Sequence, residues 1–439
     1  MLWIFTLIGE ILFGIELTSF ILANRIDFYV MCAIGSIIGL GISTIIFFGC
    51  SAILGMSSFH VLVHTIGISS VAYLLIMRKV IKKINLVGKP TKKHFIFFLV
   101  SIIFSFFFIP NNYLPKSHVF QANISLDMSE EISIINSFYH GVNSGLMNIF
   151  KIRHPSCYQC VCRSRWITAL NSAILKLGYS PEKVSITVPS MIMIFSFCFI
   201  FLNLSHLFLD SVFGSVISLF LFFFTGGYGF TSLLYKNVRK NKNLDFIYDN
   251  GFRQSNWYHP IYYYYLSSRP SQFSLCIVSS IFYLLASTHQ SYFHQKSESD
   301  GKMNEIINRK SKNRQNNRPL MTIIGVLLGL LPGNQIQVFL AILVYLLIFS
   351  INEFPFRFPR KQKEKLIEFF LLGVAFSLTS ILQFLQYFPR QTNLNILVKK
   401  TIFKSLIEKG SFFPMLTFCL KHLDSFHCLH LLYHGQSLI

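Results

Sequence analysis

Long apolar runs, separated by shorter polar segments, make up most of this 439-residue chain. A helix needs about 20 predominantly apolar residues to cross a bilayer, and several of the runs reach that length. The apolar residues run continuously instead of alternating with polar ones, which disfavours a transmembrane β-barrel. The pattern therefore predicts an all-α, polytopic transmembrane helix bundle of about 9–11 spans. The predicted spans are 2–22, 29–53, 59–77, 94–109, 188–208, 211–225, 272–288, 320–331 with 336–351, and 366–387, with a weaker one beginning near 411.

Two long polar segments divide these spans into groups. Residues 110–187 and 226–271 are predicted to be long exoplasmic or lumenal loops that carry short helices, the first of them acidic and amphipathic. They separate the N-terminal transmembrane helices of 1–109 from the helices of 188–225. The remainder, 272–439, is predicted to contain the C-terminal transmembrane helices and basic cytoplasmic loops.

The composition supports a membrane protein. Only 13% of the residues are charged and 52% are hydrophobic, whereas a soluble domain carries about 25% charged residues. The net charge of +21 comes from basic residues clustered between apolar runs, which favours cytoplasmic loops over a nucleic-acid interface. The loops 78–93, 297–318 and 352–365 are therefore assigned to the cytoplasm, and the glycosylation pattern beginning at Asn123 to the opposite side. Whether the membrane is internal or the plasma membrane is left open.

Three acidic residues lie within five positions in the first outer loop. Asp127, Glu130 and Glu131 are spaced i, i+3 and i+4, so they share one face of a helix that begins there. They could stabilise the start of that helix by complementing its positive N-terminus. Alternatively, they form an acidic centre that holds a divalent cation or takes a proton from a hydroxyl group.

An arginine, Arg269, lies just before a predicted span and after an aromatic stretch that begins at Trp257. One interpretation is an interfacial anchor, whose charged end reaches the headgroup region beside an aromatic belt. The other is a phosphate clamp, since a guanidinium group matches phosphate oxygens with two parallel hydrogen bonds.

Cysteine and glutamate residues offer weaker candidates. The group Cys157, Cys160 and Cys162 is half of a zinc site at most, and a disulfide or unpaired thiols fit an oxidising compartment better. Glu10 and Glu16 lie inside the first predicted span, where a charge is costly, so both are expected to face the bundle interior. Their role is either transport or a structural bond between helices.

The segment from Asp127 to Asn143 resembles a pattern, Asp-x3-His-Leu-x-Leu-Ile-x-Ser-Phe-x2-Gly-x-Asn, found in a little-characterised group of polytopic membrane proteins. Those proteins look like C-type (GT-C) glycosyltransferases, which use lipid-phosphate-linked sugars. Three further stretches fit the group in the same order. They are Gly226–Phe230, His259–Arg269, and Gly329–Pro332 followed by Phe339 and Leu340.

The resemblance implies roles for particular residues. Asp127 matches the first-loop catalytic aspartate of GT-C enzymes, which acts as general base or metal ligand. Arg269 and His259 would bind the donor phosphate. Residues expected to support the site or a metal, whose identity is open, are Glu130, Glu131, Gln335 and Gln337. The chain departs from the group at several positions, because Glu131, Gln335 and Gln337 replace histidines and Ser268 replaces a common glutamine.

The predicted function is transfer of a sugar from a lipid-phosphate donor to a hydroxyl acceptor on the outer or lumenal face, or the role of an inactive relative of such enzymes. The expected partners are the lipid bilayer and a lipid-phosphate-linked sugar, with no nucleic acid. A transporter or channel-like protein is the alternative, because Glu10, Glu16 and the helix break at Pro332 suit a transport path. A receptor or structural membrane protein is a third hypothesis.

Overall fold

A computed structural model describes the chain over residues 1–22, 25–81, 90–113, 126–140, 153–154, 157–161, 166–224, 268–297, 317–353 and 359–385. These residues belong to one unit, Met1–Tyr387. The weaker span predicted from 411, the basic loop of 297–318 apart from its two ends, and His259 lie outside the described residues.

The described part of the chain is helical apart from a short β-hairpin. The strands β1 (Arg153–His154) and β2 (Cys157–Val161) pair in antiparallel fashion. The helices are α1 (Leu2–Leu22), α2 (Phe28–Leu54), α3 (Ser58–Ile81), α4 (Lys92–Tyr113), α5 (Leu126–Tyr139), α6 (Trp166–Leu177), α7 (Glu182–Leu209), α8 (Val212–Phe224), α9 (Arg269–Ser297), α10 (Arg318–Gly329), α11 (Ile336–Glu353) and α12 (Pro359–Leu385).

Six of these helices are long and apolar enough to cross a membrane, as expected for a membrane protein. Three shorter apolar helices accompany them, at Val212–Phe223, Arg318–Gly329 and Ile336–Ser350. All nine coincide with predicted spans, and α4 coincides with the predicted span 94–109. The cellular side of each loop stays a prediction.

Apolar side chains cover the outside of the bundle as well as its core. Helix α2 lies inside the bundle, because 83% of its most apolar 18-residue stretch is buried. In α12, only 22% of the corresponding stretch is buried. Large exposed side chains such as Phe370 and Leu378 on α12, and Phe59 and Leu74 on α3, form this surface. An apolar exterior of this extent fits a lipid environment.

Glycines allow the closest helix crossings. At the α1–α2 contact, a β-carbon on Gly14 would lie 2.1 Å from the carbonyl oxygen of Gly35, and one on Gly39 would lie 2.1 Å from that of Glu10. Gly35 and Gly39 are spaced as a small-xxx-small pair, which brings helix backbones together in membranes. Gly325 on α10 packs in the same way against the backbone of Leu372 on α12.

Helix α6 is too short to span a bilayer, yet it lies in the bundle core. Every residue of α6 except Lys176 is buried, and the helix contacts α1, α2, α3, α5, α7 and α9. Backbone and side-chain bonds join its C-terminal end to the N-terminal ends of α1 and α3, since Gly178 accepts from the Trp3 amide and Leu177 accepts from the Ser58 hydroxyl. This end of the bundle is called the α6 end below.

The opposite ends of α1, α2 and α3 lie at the other end of the bundle. The imidazole of His94 at the start of α4 lies 2.6 Å from the carboxylate of Asp27, which precedes α2. The guanidinium of Arg78 on α3 lies 4.8 Å from the centre of the Phe20 ring on α1. The beginning of α4, after the basic segment 78–93, is therefore at the other end of the bundle from α6.

Candidate functional site

Arg269 is the first residue of α9, and it lies inside the protein at the α6 end. Its side chain is fully buried. The Nη1 atom donates to Glu131 Oε1 at 3.1 Å and to Ser172 Oγ at 2.7 Å, and Nε donates to Ser190 Oγ at 3.1 Å. One side chain from each of α5, α6 and α7 thus holds the guanidinium group.

The two serines that contact Arg269 are themselves fixed. The Ser172 hydroxyl donates to the carbonyl of Ser185 at 2.6 Å, and the Ser190 hydroxyl donates to the carbonyl of Ile186 at 2.9 Å. Each hydroxyl oxygen therefore turns its lone pairs towards the guanidinium group. Since the serines occupy Nε and Nη1 together with Glu131, the plane of the guanidinium group is set by the protein.

One nitrogen of Arg269 has no protein acceptor. Nη2 is buried without a hydrogen-bond partner among the described residues. A buried guanidinium nitrogen normally finds an acceptor because leaving it unsatisfied costs free energy. Nη2 is consequently the donor of this cluster that is available to a further group.

Glu131 balances the charge of Arg269. The carboxylate is 4% exposed and forms a buried ion pair with the guanidinium group. Paired burial of this kind is tolerated because each charge cancels the other, whereas an isolated buried charge is expensive. The position at which the resembling proteins carry a histidine therefore holds the counter-ion of Arg269 in this chain.

The acidic residues predicted to share a helix face are on one helix. Helix α5 begins at Leu126, so Asp127 lies in its first turn and Glu131 follows one turn later. Four residues of helix rise by about 6 Å, which places the backbone of Asp127 close to the Glu131–Arg269 pair. The side chains of Asp127 and Glu130 lie outside the described residues. A first-turn position is consistent with both predicted roles of Asp127.

Lys176 holds α5 against the core. Its ammonium group donates to Asn136 Oδ1 at 2.7 Å and to Glu182 Oε2 at 3.1 Å, and it lies 4.5 Å from the centre of the Tyr139 ring. These contacts join α5, α6 and α7. Together with the buried Phe138, they fix the helix that carries Asp127 and Glu131.

The turn between α10 and α11 closes another side of the site. The side-chain amide of Gln335 donates to the hydroxyl of Ser271, which is two residues after Arg269. The carbonyl of Gly333 accepts from the Trp166 amide at 3.1 Å, so the same turn contacts the start of α6. Gln337 is exposed and is not brought into this group of contacts.

Three predicted site residues thus converge at the α6 end: Glu131, Arg269 and Gln335. The interpretation of Arg269 as a lipid-facing anchor is wrong, because the side chain is fully buried. Sequence reasoning missed Ser172, Ser190 and Ser271. Each is a serine within an apolar helix, where the hydroxyl commonly bonds to its own helix, so no sequence signal marked them.

A second polar group lies deeper in the bundle, on the neighbouring residue of α6. Glu10 of α1 is fully buried, as predicted, and its Oε2 accepts from Asn171 Nδ2 at 3.0 Å. Asn171 Nδ2 also donates to Thr44 Oγ1 at 3.2 Å. Glu16 is partly exposed and lies outside this group.

The predicted metal and thiol sites have different outcomes. Among the side chains that the structure describes, no three His, Cys, Asp or Glu residues lie close enough together to hold a metal ion. The thiols of Cys157, Cys160 and Cys162 lie outside that set. Four cysteines within the described apolar helices form no disulfide: Cys32, Cys50, Cys198 and Cys276.

Comparisons with protein-family models, curated proteins and solved structures found no match for this chain. The described part of the site offers one buried guanidinium donor, Nη2 of Arg269, while the other guanidinium nitrogens are held by the protein. A donor of this kind suits an anionic group. The backbone of Asp127 lies one helical turn before Glu131.

Proposed function

We propose that the protein is a membrane glycosyltransferase of the GT-C type, which transfers a sugar from a lipid-phosphate donor to a hydroxyl acceptor. The observation that carries the proposal is the contact between Arg269 and Glu131. It joins two segments, 138 positions apart in the chain, that both take part in the resemblance to that group. Arg269 suits a phosphate group, and the helix that carries Glu131 also carries Asp127, which suits proton transfer.

Arg269 acts on the leaving group in this proposal. A displacement at the sugar carbon releases a lipid phosphate, on which negative charge grows as the glycosidic bond breaks. Nη2 of Arg269 would donate to a phosphate oxygen, while the bonds to Glu131, Ser172 and Ser190 hold the guanidinium group in position. Donors fixed before the reaction stabilise such a charge without the cost of reorganisation.

Asp127 acts on the acceptor. Its carboxylate would take the proton of the attacking hydroxyl group, a role that depends on its reaching that group. The residue lies one helical turn before Glu131, the counter-ion of Arg269. His259 and Gln335 are proposed to bound the donor site, with Gln335 acting through Ser271 and the start of α9.

The first test replaces the proposed base. Asp127→Asn should reduce sugar transfer by at least about a hundredfold, since a general base contributes about 10²–10⁴-fold. The assay measures transfer from polyprenyl-phosphate mannose and polyprenyl-phosphate glucose in membranes containing the full chain. Asp210→Asn is a matched control, because Asp210 is exposed and has a positive φ of 46° that asparagine also adopts.

Two results would contradict the catalytic role. If Asp127→Asn retains full transfer activity, the carboxylate only stabilises the start of α5, since asparagine is tolerated at helix starts. If the wild-type chain neither transfers sugar from these donors nor binds farnesyl phosphate, the GT-C proposal itself is wrong. Expression and membrane insertion should be equal in all variants.

The second test addresses the phosphate clamp. Arg269→Lys removes the planar fork while keeping the charge. Loss of a charge-assisted hydrogen bond costs about 1.5–3 kcal/mol, so farnesyl phosphate should bind about 10- to 100-fold more weakly. Affinity is measured on the folded fraction, because a buried lysine cannot reproduce all three protein contacts. Unchanged affinity would exclude Arg269 from the donor site.

A transporter is the second candidate, and the buried Glu10 is the observation that favours it. A carboxylate inside a membrane bundle often marks an ion path. A cavity of about 310 Å³ opens between α1, α2, α4 and α7, and Ile11 and Ser36 help to line it, but Glu10 does not. Uptake of labelled sodium into proteoliposomes, lost in Glu10→Gln, would favour this function.

A further inference from the structure

The polar group around Glu10 has an unusual balance of donors and acceptors. The amide nitrogen of Asn171 serves both Glu10 Oε2 and Thr44 Oγ1. The hydroxyl of Ser43, which precedes Thr44 on α2, lies beside the Glu10 carboxylate without reaching hydrogen-bond geometry. Helices α1, α2 and α6 each contribute to this group, which lies among apolar side chains.

Three oxygen atoms of the group have no hydrogen-bond partner among the described residues. They are Glu10 Oε1, Ser43 Oγ and Asn171 Oδ1. Glu10 and Ser43 are fully buried and Asn171 is 4% exposed, so bulk water does not compensate for the missing partners. Buried polar atoms in folded proteins are rarely left unsatisfied, and three such oxygens on neighbouring side chains indicate a bound group that interacts with oxygen atoms.

The charge of the group points to a cation. In the part of the chain that the structure describes, no ion pair links Glu10 to a lysine, arginine or histidine. The nearest buried arginine in the core network, Arg269, is already paired with Glu131. A buried carboxylate without a counter-charge costs several kcal/mol, so a proton or a bound cation must neutralise it. Of the two, a cation also coordinates the neighbouring hydroxyl and amide oxygens.

The ligand set favours a monovalent ion. One carboxylate supplies a single negative charge, and the hydroxyl and amide oxygens are neutral, so one monovalent cation brings the site to zero net charge. A divalent cation would leave a buried positive charge. Transition metals prefer nitrogen and sulfur ligands, and neither type of side chain is among the contacts described for Glu10.

We propose that Glu10, Ser43 and Asn171 form a binding site for one monovalent cation, with sodium as the test ion. The site lies at a close crossing of α1 and α2, where a β-carbon on Gly39 would lie 2.1 Å from the carbonyl oxygen of Glu10. Backbones held this close keep the ligands in place. The bound cation stabilises the α1–α2–α6 core, and this role is independent of sugar transfer.

The experiment measures thermal unfolding of the full chain in nanodiscs, in sodium chloride and in choline chloride of equal ionic strength. Above its Kd, each tenfold increase in sodium should raise Tm by on the order of 2 °C. Glu10→Gln keeps the size of the side chain and should abolish this dependence. Glu16→Gln is the matched control on the same helix, and it should retain the dependence.

Ser43→Ala keeps the carboxylate and removes one neutral ligand. It should shift the sodium midpoint about tenfold to higher concentration, and it tests the site even if Glu10→Gln fails to fold. Equal Tm in sodium and choline for the wild type would overturn the proposal, as would sodium dependence that persists in Glu10→Gln. A Tm that follows pH but not sodium would also overturn it, since a proton would then supply the charge.

Discussion

Two buried glutamates at neighbouring positions of the core differ in how their charge is balanced. Glu131 is paired with Arg269 at 3.1 Å, whereas Glu10 contacts the neutral amide of Asn171. Adjacent residues of α6 serve the two sites, since Ser172 contacts Arg269 and Asn171 contacts Glu10. The Arg269 site therefore carries its own counter-ion, whereas the Glu10 carboxylate has no counter-ion among the described residues.

The difference in charge balance suits the two sites to different ligands. A guanidinium group with a permanent counter-ion is rigid and nearly neutral as a pair, so it can donate from Nη2 without attracting every anion. A carboxylate without a counter-ion attracts a cation and binds it more tightly as the surroundings become less polar. The two sites share helix α6, on which Asn171 contacts Glu10 and Ser172 contacts Arg269.

The largest effect should come from removing one member of the ion pair. Glu131→Ala leaves the positive charge of Arg269 buried and uncompensated, which costs about 3–5 kcal/mol. The measurement is the free energy of unfolding of the full chain in micelles. The double variant Glu131→Leu with Arg269→Met removes both charges and should recover most of that loss, because an apolar pair replaces a buried ion pair at little cost.

The effect of Glu10→Gln on the free energy of unfolding is measured in the same assay. In sodium-free buffer it removes a charge that has no protein counter-ion, so it should leave stability unchanged or raise it. The opposite responses of Glu131 and Glu10 would establish the difference between the sites. A loss of several kcal/mol in Glu10→Gln without sodium would mean that the carboxylate is balanced by part of the chain.

A somewhat smaller effect is expected from crowding the α1–α2 crossing beside Glu10. A β-carbon on Gly39 would lie 2.1 Å from the Glu10 carbonyl oxygen, so the backbones must separate. Overpacking of this kind typically costs about 1–3 kcal/mol. Gly39→Ala should therefore lower Tm and weaken any sodium dependence, while the Arg269 site keeps its affinity for farnesyl phosphate.

Gly67→Ala is the control for this change. Nothing lies within 4 Å of a β-carbon at Gly67, and alanine has the higher helix propensity. It should leave Tm unchanged or raise it slightly. A Gly39→Ala variant as stable as Gly67→Ala would show that α1 and α2 are not in close contact at this point.

The sequence predicted the helices well and the contacts between them poorly. The apolar run 29–53 became Phe28–Leu54, because a run of that length has few alternatives to a spanning helix. Helix α6 was not predicted, since its 12 residues are too few to cross a bilayer and they fall within a predicted outer loop. The burial of this helix depends on partners from six other helices, which local sequence does not specify.

The same difference applies to the site residues: several could be identified from the sequence, but their contacts could not. Asp127, Glu131 and Arg269 could be singled out because charged residues are rare in this chain and the resemblance points to them. The pairing of Glu131 with Arg269 spans 138 positions and could not be derived from spacing. Ser172 and Ser190 carry no signal, because serines on the described helices commonly bond to their own helix, as Ser101 and Ser105 do.

The smallest of these effects distinguishes a serine that holds Arg269 from one that does not. Ser172 accepts from Arg269 and donates to the Ser185 carbonyl, so Ser172→Ala removes one of the two acceptors of Arg269 Nη1 and the side-chain donor to that carbonyl, and should cost about 1–3 kcal/mol. Ser101 is equally buried, but its own hydroxyl donates to the Phe97 carbonyl on the same helix, a carbonyl that already belongs to the helix ladder. Ser101→Ala should therefore change stability by less than about 0.5 kcal/mol. The two variants are compared by unfolding in micelles and by farnesyl phosphate affinity, which should fall only in Ser172→Ala because the guanidinium plane is no longer fixed. Equal losses in the two variants would mean that Ser172 contributes only to helix packing, and the orientation of Arg269 would then depend on Glu131 and Ser190 alone.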